Sequence, residues 1–162
     1  MGNKALFLDR DGTINIEKNY LFRIEDFEFR EGIFDVAKSF FDRGYLIFVV
    51  TNQSGIARGF YSEEDFHLLT NWMKVQFREN GVEIANVYYC PHHPDHTGEC
   101  VCRKPEPGLI LKAIRDYRLN PDECALIGDS ERDIEAGKRA GIKQIIKIKG
   151  TGRIYLEDVV IY

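Results

Sequence analysis

The chain has no apolar run near the roughly 20 consecutive residues that a membrane-spanning helix requires; its longest is Tyr45 to Val50. Basic charge is in deficit, with 22 Lys and Arg against 26 Asp and Glu and a formal charge of −4. Without a clustered Lys/Arg stripe there is no electrostatic footprint for nucleic acid. A charged-then-apolar leader is also lacking, because Asp9, Arg10 and Asp11 interrupt the first apolar stretch. Leu6 stands where a myristoylation site needs Ser or Thr. These absences predict a cytoplasmic chain with no membrane or nucleic-acid partner. Nor is there an internal repeat, a low-complexity segment or a Pro/Gly-rich linker to divide it. What remains is 162 residues, 44% apolar and 12% aromatic, enough to bury a continuous core as one domain over residues 1–162.

Short apolar, β-rich runs alternate with amphipathic stretches, the pattern of an α/β, doubly wound, mostly parallel sheet with helices on both faces. The expected strands are Lys4 to Leu8, Leu46 to Val50, Val87 to Tyr89, Cys124 to Ile127 and Gln144 to Lys147. Gly32 to Arg43 reads as a helix with Ile33, Val36, Ala37 and Phe40 on one face. A long helix opens at the capping-box signal Ser62-Glu63-Glu64-Asp65 and closes at Asn80-Gly81. Pro107 to Tyr117 and Glu131 to Ala140 complete the set. Val159 to Tyr162 either add a terminal strand or pack on the surface. Pro91 to Arg103 stands apart as a polar stretch too long for an ordinary connection, and needs its own reason to be ordered.

In such a sheet, ligands bind beyond the carboxyl ends of the strands, where strand order reverses. Four polar strand ends meet that condition. Asp9 and Asp11, spaced i, i+2 before Gly12 and Thr13, can present a nucleophile and an acid/base to one reacting group while a hard cation offsets their repulsion. A solvated Asp-Gly turn is the ordinary alternative. Thr51-Asn52-Gln53-Ser54-Gly55 sets a hydroxyl and amides beside a Gly that lets backbone approach, a group of donors for anionic oxygens. Arg103-Lys104-Pro105 places two cations before a helix. Asp129 and Asp133 share a face one helical turn apart, so one can ligate a cation while the other supports it; acids there also simply suit the helix dipole. Singly, each has a bland explanation. In order, at the ends of successive strands, they supply every component of one catalytic site.

Cys90, Cys100 and Cys102 are bunched, and Cys124 is alone. Cys90-x-His92, then seven residues, then Cys100-x-Cys102 offers three thiolates and an imidazole, the donor set of a structural tetrahedral zinc. Disulfides would leave an odd thiol and ignore the His; His93 and His96 are adjacent alternatives to His92. A zinc loop over residues 90–103 would order the polar segment and fix Arg103 and Lys104 behind it. Cys124 opens an apolar strand and reads as core.

These motifs resemble the haloacid-dehalogenase (HAD) superfamily of phosphotransferases. Asp9-x-Asp11-x-Thr13, Thr51, Lys104, and Asp129 with Asp133 match its four motifs in order across nearly the whole chain. Thr51 to Gly59, Tyr89-Cys90-Pro91-His92-His93-Pro94 and Cys102-Arg103-Lys104-Pro105 further look like the D-glycero-D-manno-heptose 1,7-bisphosphate phosphatases, relatives of the histidinol-phosphate phosphatases. The resemblance implies catalytic Mg2+ on the hard oxygens of Asp9, the Asp11 backbone carbonyl and Asp129. It implies structural Zn2+ on Cys90, His92, Cys100 and Cys102. Asp9 would form an aspartyl-phosphate, with Asp11 serving as acid and then base and so beginning protonated. Thr51 and Lys104 would hold the transferring oxygens.

Substrate contacts are implied at Glu17, Lys18, Asn19, Tyr20, Asn52, Gln53, Ser54 and Arg103, the last with a guanidinium fork suited to the second phosphate of a bisphosphate. Ser130, where the family often has Lys, is a further substrate-binding candidate, and Asp133 supports the metal from behind its ligands. No insertion between Asp11 and Thr51, or between Thr51 and Lys104, is long enough for a large cap. The expected activity is removal of the C7 phosphate of a heptose 1,7-bisphosphate, a small sugar phosphate, by a monomer that serves ADP- or GDP-heptose synthesis for lipopolysaccharide or another surface glycan. A histidinol-phosphate phosphatase would share the chemistry and the metal loop; Gly55-Ile56-Ala57-Arg58-Gly59 and the double His after Cys90 favour the heptose enzyme. A phospho-accepting receiver domain is also doubly wound and Mg-dependent, but has no use for Asp11 or a zinc loop. A non-catalytic zinc module leaves the acidic and basic motifs unexplained.

Overall fold

The computed structural model describes residues 2–159. Strands β1 (Ala5–Leu8), β2 (Leu46–Asn52), β3 (Ile84–Cys90), β4 (Ala125–Gly128) and β5 (Gln144–Lys147) form one parallel sheet in the order β3-β2-β1-β4-β5. Parallel neighbours need crossovers, and α1 (Ile33–Asp42), α2 (Glu63–Glu79), a short α3 (Pro94–Thr97), α4 (Gly108–Tyr117) and α5 (Glu131–Arg139) lie along them. The central strands are apolar throughout because both faces are covered. Leu6, Leu8, Ile47 and Val49 pack with Phe40 of α1 and with Met73 and Phe77 of α2. Their alternates Ala5, Phe7, Phe48 and Val50 pack with Leu109 and Ile110 of α4 and Ala136 of α5. The period of two thus sorts one run of residues into two cores.

The capping box of α2 forms as expected, with Ser62 Oγ accepting from the Asp65 N–H at 3.0 Å and the Asp65 carboxylate accepting from the Ser62 N–H at 3.0 Å. Several boundaries differ from expectation: β1 starts at Ala5 rather than Lys4, and β4 runs Ala125–Gly128 rather than Cys124 to Ile127. β3 starts at Ile84 rather than Val87, and β2 continues through Thr51 and Asn52, which pair with Tyr89 and Cys90. α3 is additional. Of Val159 to Tyr162, only Val159 is described, ending a 3-10 turn over Leu156–Val159; the other three lie outside the described residues. Among the described residues, no helix is long and apolar enough to cross a membrane.

From β1 the chain winds out to β2 and β3, then returns to β4 on the other side of β1. Strand order therefore reverses between β1 and β4, and a crevice opens at their carboxyl ends. Asp9 follows β1 and Asp129 follows β4. Among the described residues, the connections from β1 to α1 and from β2 to α2 carry only the 3-10 turn Ile24–Asp26, so no large cap covers this crevice.

Candidate active site

Lys104 is the centre of the site. Its Nζ donates to Asp9 Oδ1 at 2.7 Å, Asp133 Oδ1 at 2.6 Å and the Val50 carbonyl at 2.9 Å, and the residue is 3% exposed. Burial pulls the ammonium pKa down, but the two carboxylates outweigh it and the net shift is upward. Lys104 is thus a fixed cation. Burial pushes the Asp9 carboxyl well up against the pull of Lys104. Burial also raises Asp133, yet Lys104 and the Ser130 donors carry it below the ordinary value. Asp133 Oδ2 accepts from the backbone N–H of Asp129 at 3.2 Å, that of Ser130 at 3.1 Å and the Ser130 hydroxyl at 3.0 Å. Both oxygens of Asp133 are therefore engaged in fixing Lys104 and the turn that presents Asp129.

Ligand oxygens of Asp9, Asp129 and Asp133 lie within 4.8 Å of one another, a hard-donor set that fits a divalent cation. With Asp133 engaged, Asp9 and Asp129 are the side chains free to hold Mg2+. Gly12 has φ +92°, and a Cβ there would lie 2.1 Å from Asp129 Oδ2. Only glycine lets the Asp129 carboxylate lean against the turn that carries the Asp11 carbonyl.

The Asp11 side chain is held from three directions. Arg10, which is buried, donates to Oδ1 from Nε at 3.2 Å and Nη2 at 3.1 Å; Asn15 Nδ2 adds a third donor at 3.0 Å, and Gln53 Nε2 reaches Oδ2 at 3.1 Å. Every contact comes from a donor, and none accepts a carboxyl proton. These donors fix the Asp11 side chain at the wall of the cavity it shares with Asp9. Gln53 Nε2 also donates to Thr51 Oγ1 at 2.9 Å, and its Oε1 accepts from the Tyr61 hydroxyl. Burial pushes the Tyr61 pKa up to about 12. Tyr61 thus stays a donor and dictates which end of the Gln53 amide faces Asp11 and Thr51.

Three of the expected substrate contacts have protein partners in this structure, and two of them, Asn52 and Gln53, also line the cavities. Asn52 Nδ2 donates to the Lys104 carbonyl at 3.1 Å while its Oδ1 accepts the Lys104 N–H at 3.0 Å, so both ends of the amide anchor Lys104. Gln53 is likewise occupied, with Tyr61, Asp11 and Thr51. Lys18 pairs with Glu28 at 3.3 Å and lines neither cavity. Glu17, whose carboxyl burial raises, lines a cavity of about 270 Å³ with Asn19, Tyr20, Ser54 and Arg103. That cavity shares Asp11, Glu17, Asn52 and Arg132 with the catalytic one, which Thr51 and Ser130 also line. Asn19 and Tyr20 hold left-handed φ values of 47° and 56°, backbone strain kept by a constrained loop. Sequence reasoning missed Arg10, Asn15, Tyr61 and Arg132.

The thiols converge at the end of β3. Cys90 Sγ lies 3.6 Å from Cys100 Sγ and 2.9 Å from Cys102 Sγ, and Cys100 lies 3.6 Å from Cys102. His92 Nδ1 stands 3.5 Å from Cys90 and 3.2 Å from Cys102. Tetrahedral zinc with Zn–S bonds of about 2.3 Å has edges of about 3.8 Å, so these four donors fit Zn2+ with slight expansion. His93 Nδ1 instead accepts from the Asp95 N–H at 3.1 Å to cap α3, and His96 packs edge to face on His93. Burial pushes the Cys90 thiol up. Burial opposes but does not prevent a low Cys100 value of about 7, because the N–H groups of Arg103 and Cys102 outweigh it.

The crevice, the strand-end carboxylates and the buried lysine define a hydrolase of the haloacid-dehalogenase superfamily, and residues 101–153 match the HAD-hydrolase-like family model. The chain is 45% identical over 159 residues to the D-glycero-beta-D-manno-heptose-1,7-bisphosphate 7-phosphatase of Pasteurella multocida (strain Pm70), covering 96% of this chain and 86% of that one. It is 47% identical over 148 residues to the alpha-named counterpart of Campylobacter jejuni, covering 91% and 84%. The chain belongs to the D-glycero-D-manno-heptose-1,7-bisphosphate 7-phosphatase family. A crystal structure of the D,D-heptose 1,7-bisphosphate phosphatase from B. bronchiseptica complexed with magnesium and phosphate superposes with a TM-score of 0.83 at 27% identity, covering 96% of this chain and 84% of that one.

Proposed function

We propose that the chain removes the C7 phosphate of D-glycero-D-manno-heptose 1,7-bisphosphate, releasing heptose 1-phosphate for ADP- or GDP-heptose synthesis, as a single-domain cytoplasmic monomer that requires Mg2+ and is ordered by Zn2+. The observation that carries the choice of a bisphosphate lies beside the catalytic cavity. Arg103 lines the second cavity, and its Nη1 is buried without a hydrogen-bond partner. A second phosphate would satisfy that donor.

Mg2+ held by Asp9, Asp129 and the Asp11 carbonyl would offset charge on the nucleophile and the phosphoryl oxygens. Asp9 attacks phosphorus in line with one carboxylate oxygen while Lys104 steadies the other; the P–O bond to C7 breaks and an aspartyl-phosphate forms. Asp11 passes a proton to the departing sugar oxygen. Asp11 draws that proton from solvent before the P–O bond breaks and is left as the carboxylate. As a base again, Asp11 then deprotonates the water that cleaves the acyl phosphate. All three Lys104 protons are engaged before reaction. Esterification of Asp9 removes the carboxylate charge from one contact and frees a proton for the phosphoryl oxygens, beside the Thr51 hydroxyl.

Phosphate release from the heptose bisphosphate and from histidinol phosphate tests the reading. Its kcat/KM on the heptose should be at least about 100-fold higher; equal or better use of histidinol phosphate would replace this reading with that one. Tyr61→Phe should lower kcat about tenfold and leave KM within about threefold, since the Gln53 amide loses what sets its orientation. Steady-state kinetics checks it, and a raised KM with unchanged kcat would put Gln53 on the substrate instead.

A further inference from the structure

The catalytic and second cavities share one cation that no motif announces. Arg132, in the first turn of α5, borders both and also a third cavity lined by Cys100, Arg103 and Glu106. Its charge is uncommitted, because each carboxylate of α5 answers to another cation: Glu131 to Lys147, Asp133 to Lys104 at 2.6 Å, and Glu135 to Arg139 at 2.9 Å. Of the two acids that line the third cavity, Glu106 pairs with Arg139 at 3.1 Å, and Glu99 makes no ion pair with Arg132. A cation in the first turn of a helix opposes the helix dipole, so the position does nothing for α5 itself. Ser130 beside it offers no charge, its hydroxyl being bound to Asp133 at 3.0 Å.

Arg103 borders the same second and third cavities, and its Nη1 is buried without a partner. Asp11 and Glu17 also line the second cavity. One guanidinium there would leave an acidic wall, whereas two make the space receptive to a dianion. A guanidinium fork takes two phosphate oxygens, and a second guanidinium reaches the remainder.

We propose that Arg132 completes, with Arg103, the subsite for the unreacting phosphate of the substrate, and is the residue that selects a bisphosphate over a monophosphate. This rests on the bisphosphatase reading above. The test compares kcat/KM for heptose 1,7-bisphosphate and heptose 7-phosphate in the wild type, Arg132→Ala and Arg132→Lys. Arg132 is exposed, so both variants should melt like the wild type. Arg132→Ala lowers the bisphosphate-to-monophosphate ratio about 10–100-fold, mainly through KM for the bisphosphate, and Arg132→Lys falls between because it keeps the charge and loses the fork. An unchanged ratio in Arg132→Ala overturns the assignment and leaves the bisphosphatase reading standing. A wild type that uses the two substrates equally overturns the reading itself, and this assignment with it.

Discussion

Replacing Asp9 by Asn should yield a protein that folds at least as well as the wild type and releases phosphate at least about 10,000-fold more slowly. The kinetic half follows because an amide is no nucleophile toward phosphorus, so no aspartyl-phosphate forms. Folding is governed by burial. Burial holds the Asp9 carboxyl well above its ordinary pKa, so the folded state binds that proton more tightly than the unfolded chain does. As pH rises past the unfolded value, the ionised carboxylate therefore subtracts from stability, and an amide avoids the loss. Lys104 is not stranded by the change, since Asp133 at 2.6 Å and the Val50 carbonyl at 2.9 Å remain. Without metal the variant should melt at or above the wild-type temperature. Added Mg2+ should raise the wild type more than the variant, because Asn is the poorer ligand. Wild-type-like phosphate release would remove Asp9 as nucleophile, and a collapsed melting temperature would make it a structural residue instead.

The order of strands and helices was legible because the central strands are buried on both faces and the helices on one, which writes unmistakable runs and stripes into the sequence. Legibility failed where pairing overrides composition. Thr51 and Asn52 look like loop residues, yet the parallel partners Tyr89 and Cys90 extend β2 through them. At β3 the half-buried Ala85 and Asn86 hide an edge strand that begins at Ile84. The reacting carboxylates, Lys104 and the zinc donors could be read because their chemistry depends on local spacing. The residues that orient them could not. Tyr61 acts on Asp11 only through Gln53, across fifty residues of chain that the fold brings together, and nothing near Tyr61 in sequence marks it. Asn52 and Gln53 read as substrate contacts in sequence, and only the fold shows that both ends of each amide also hold Lys104, Asp11, Thr51 and Tyr61 in place. Arg132 alone left a faint signal, a cation in a helix turn that otherwise carries acids.

Stripping zinc, or replacing Cys102 by Ser, should separate substrate binding from chemistry. No residue from Pro91 to Arg103 is buried, and Val101 is 77% exposed, so the loop has no core of its own to hold it. The tie to α4 through the Gly108 N–H on the Val101 carbonyl at 3.0 Å is one bond. A structural zinc in small peptides is worth about 10–16 kcal/mol of folding, far more than such a bond supplies. Amide exchange across residues 91–103 should therefore rise sharply in the metal-free protein. The effect on the two neighbouring cations differs. Lys104 is pinned independently by the reciprocal Asn52 pair and by Asp9 and Asp133, whereas the Arg103 guanidinium has no such ties, and the residue's one backbone bond beyond the loop is its carbonyl accepting the Glu106 N–H at 2.8 Å. KM for the bisphosphate should rise about 10–100-fold while kcat falls less than about tenfold, and zinc should restore both in the stripped wild type but not in Cys102→Ser. Exchange and kinetics unaltered by removal would make the four donors a packed thiol cluster without a metal. An equal fall in kcat would mean that the loop, rather than Asn52, holds Lys104 in place.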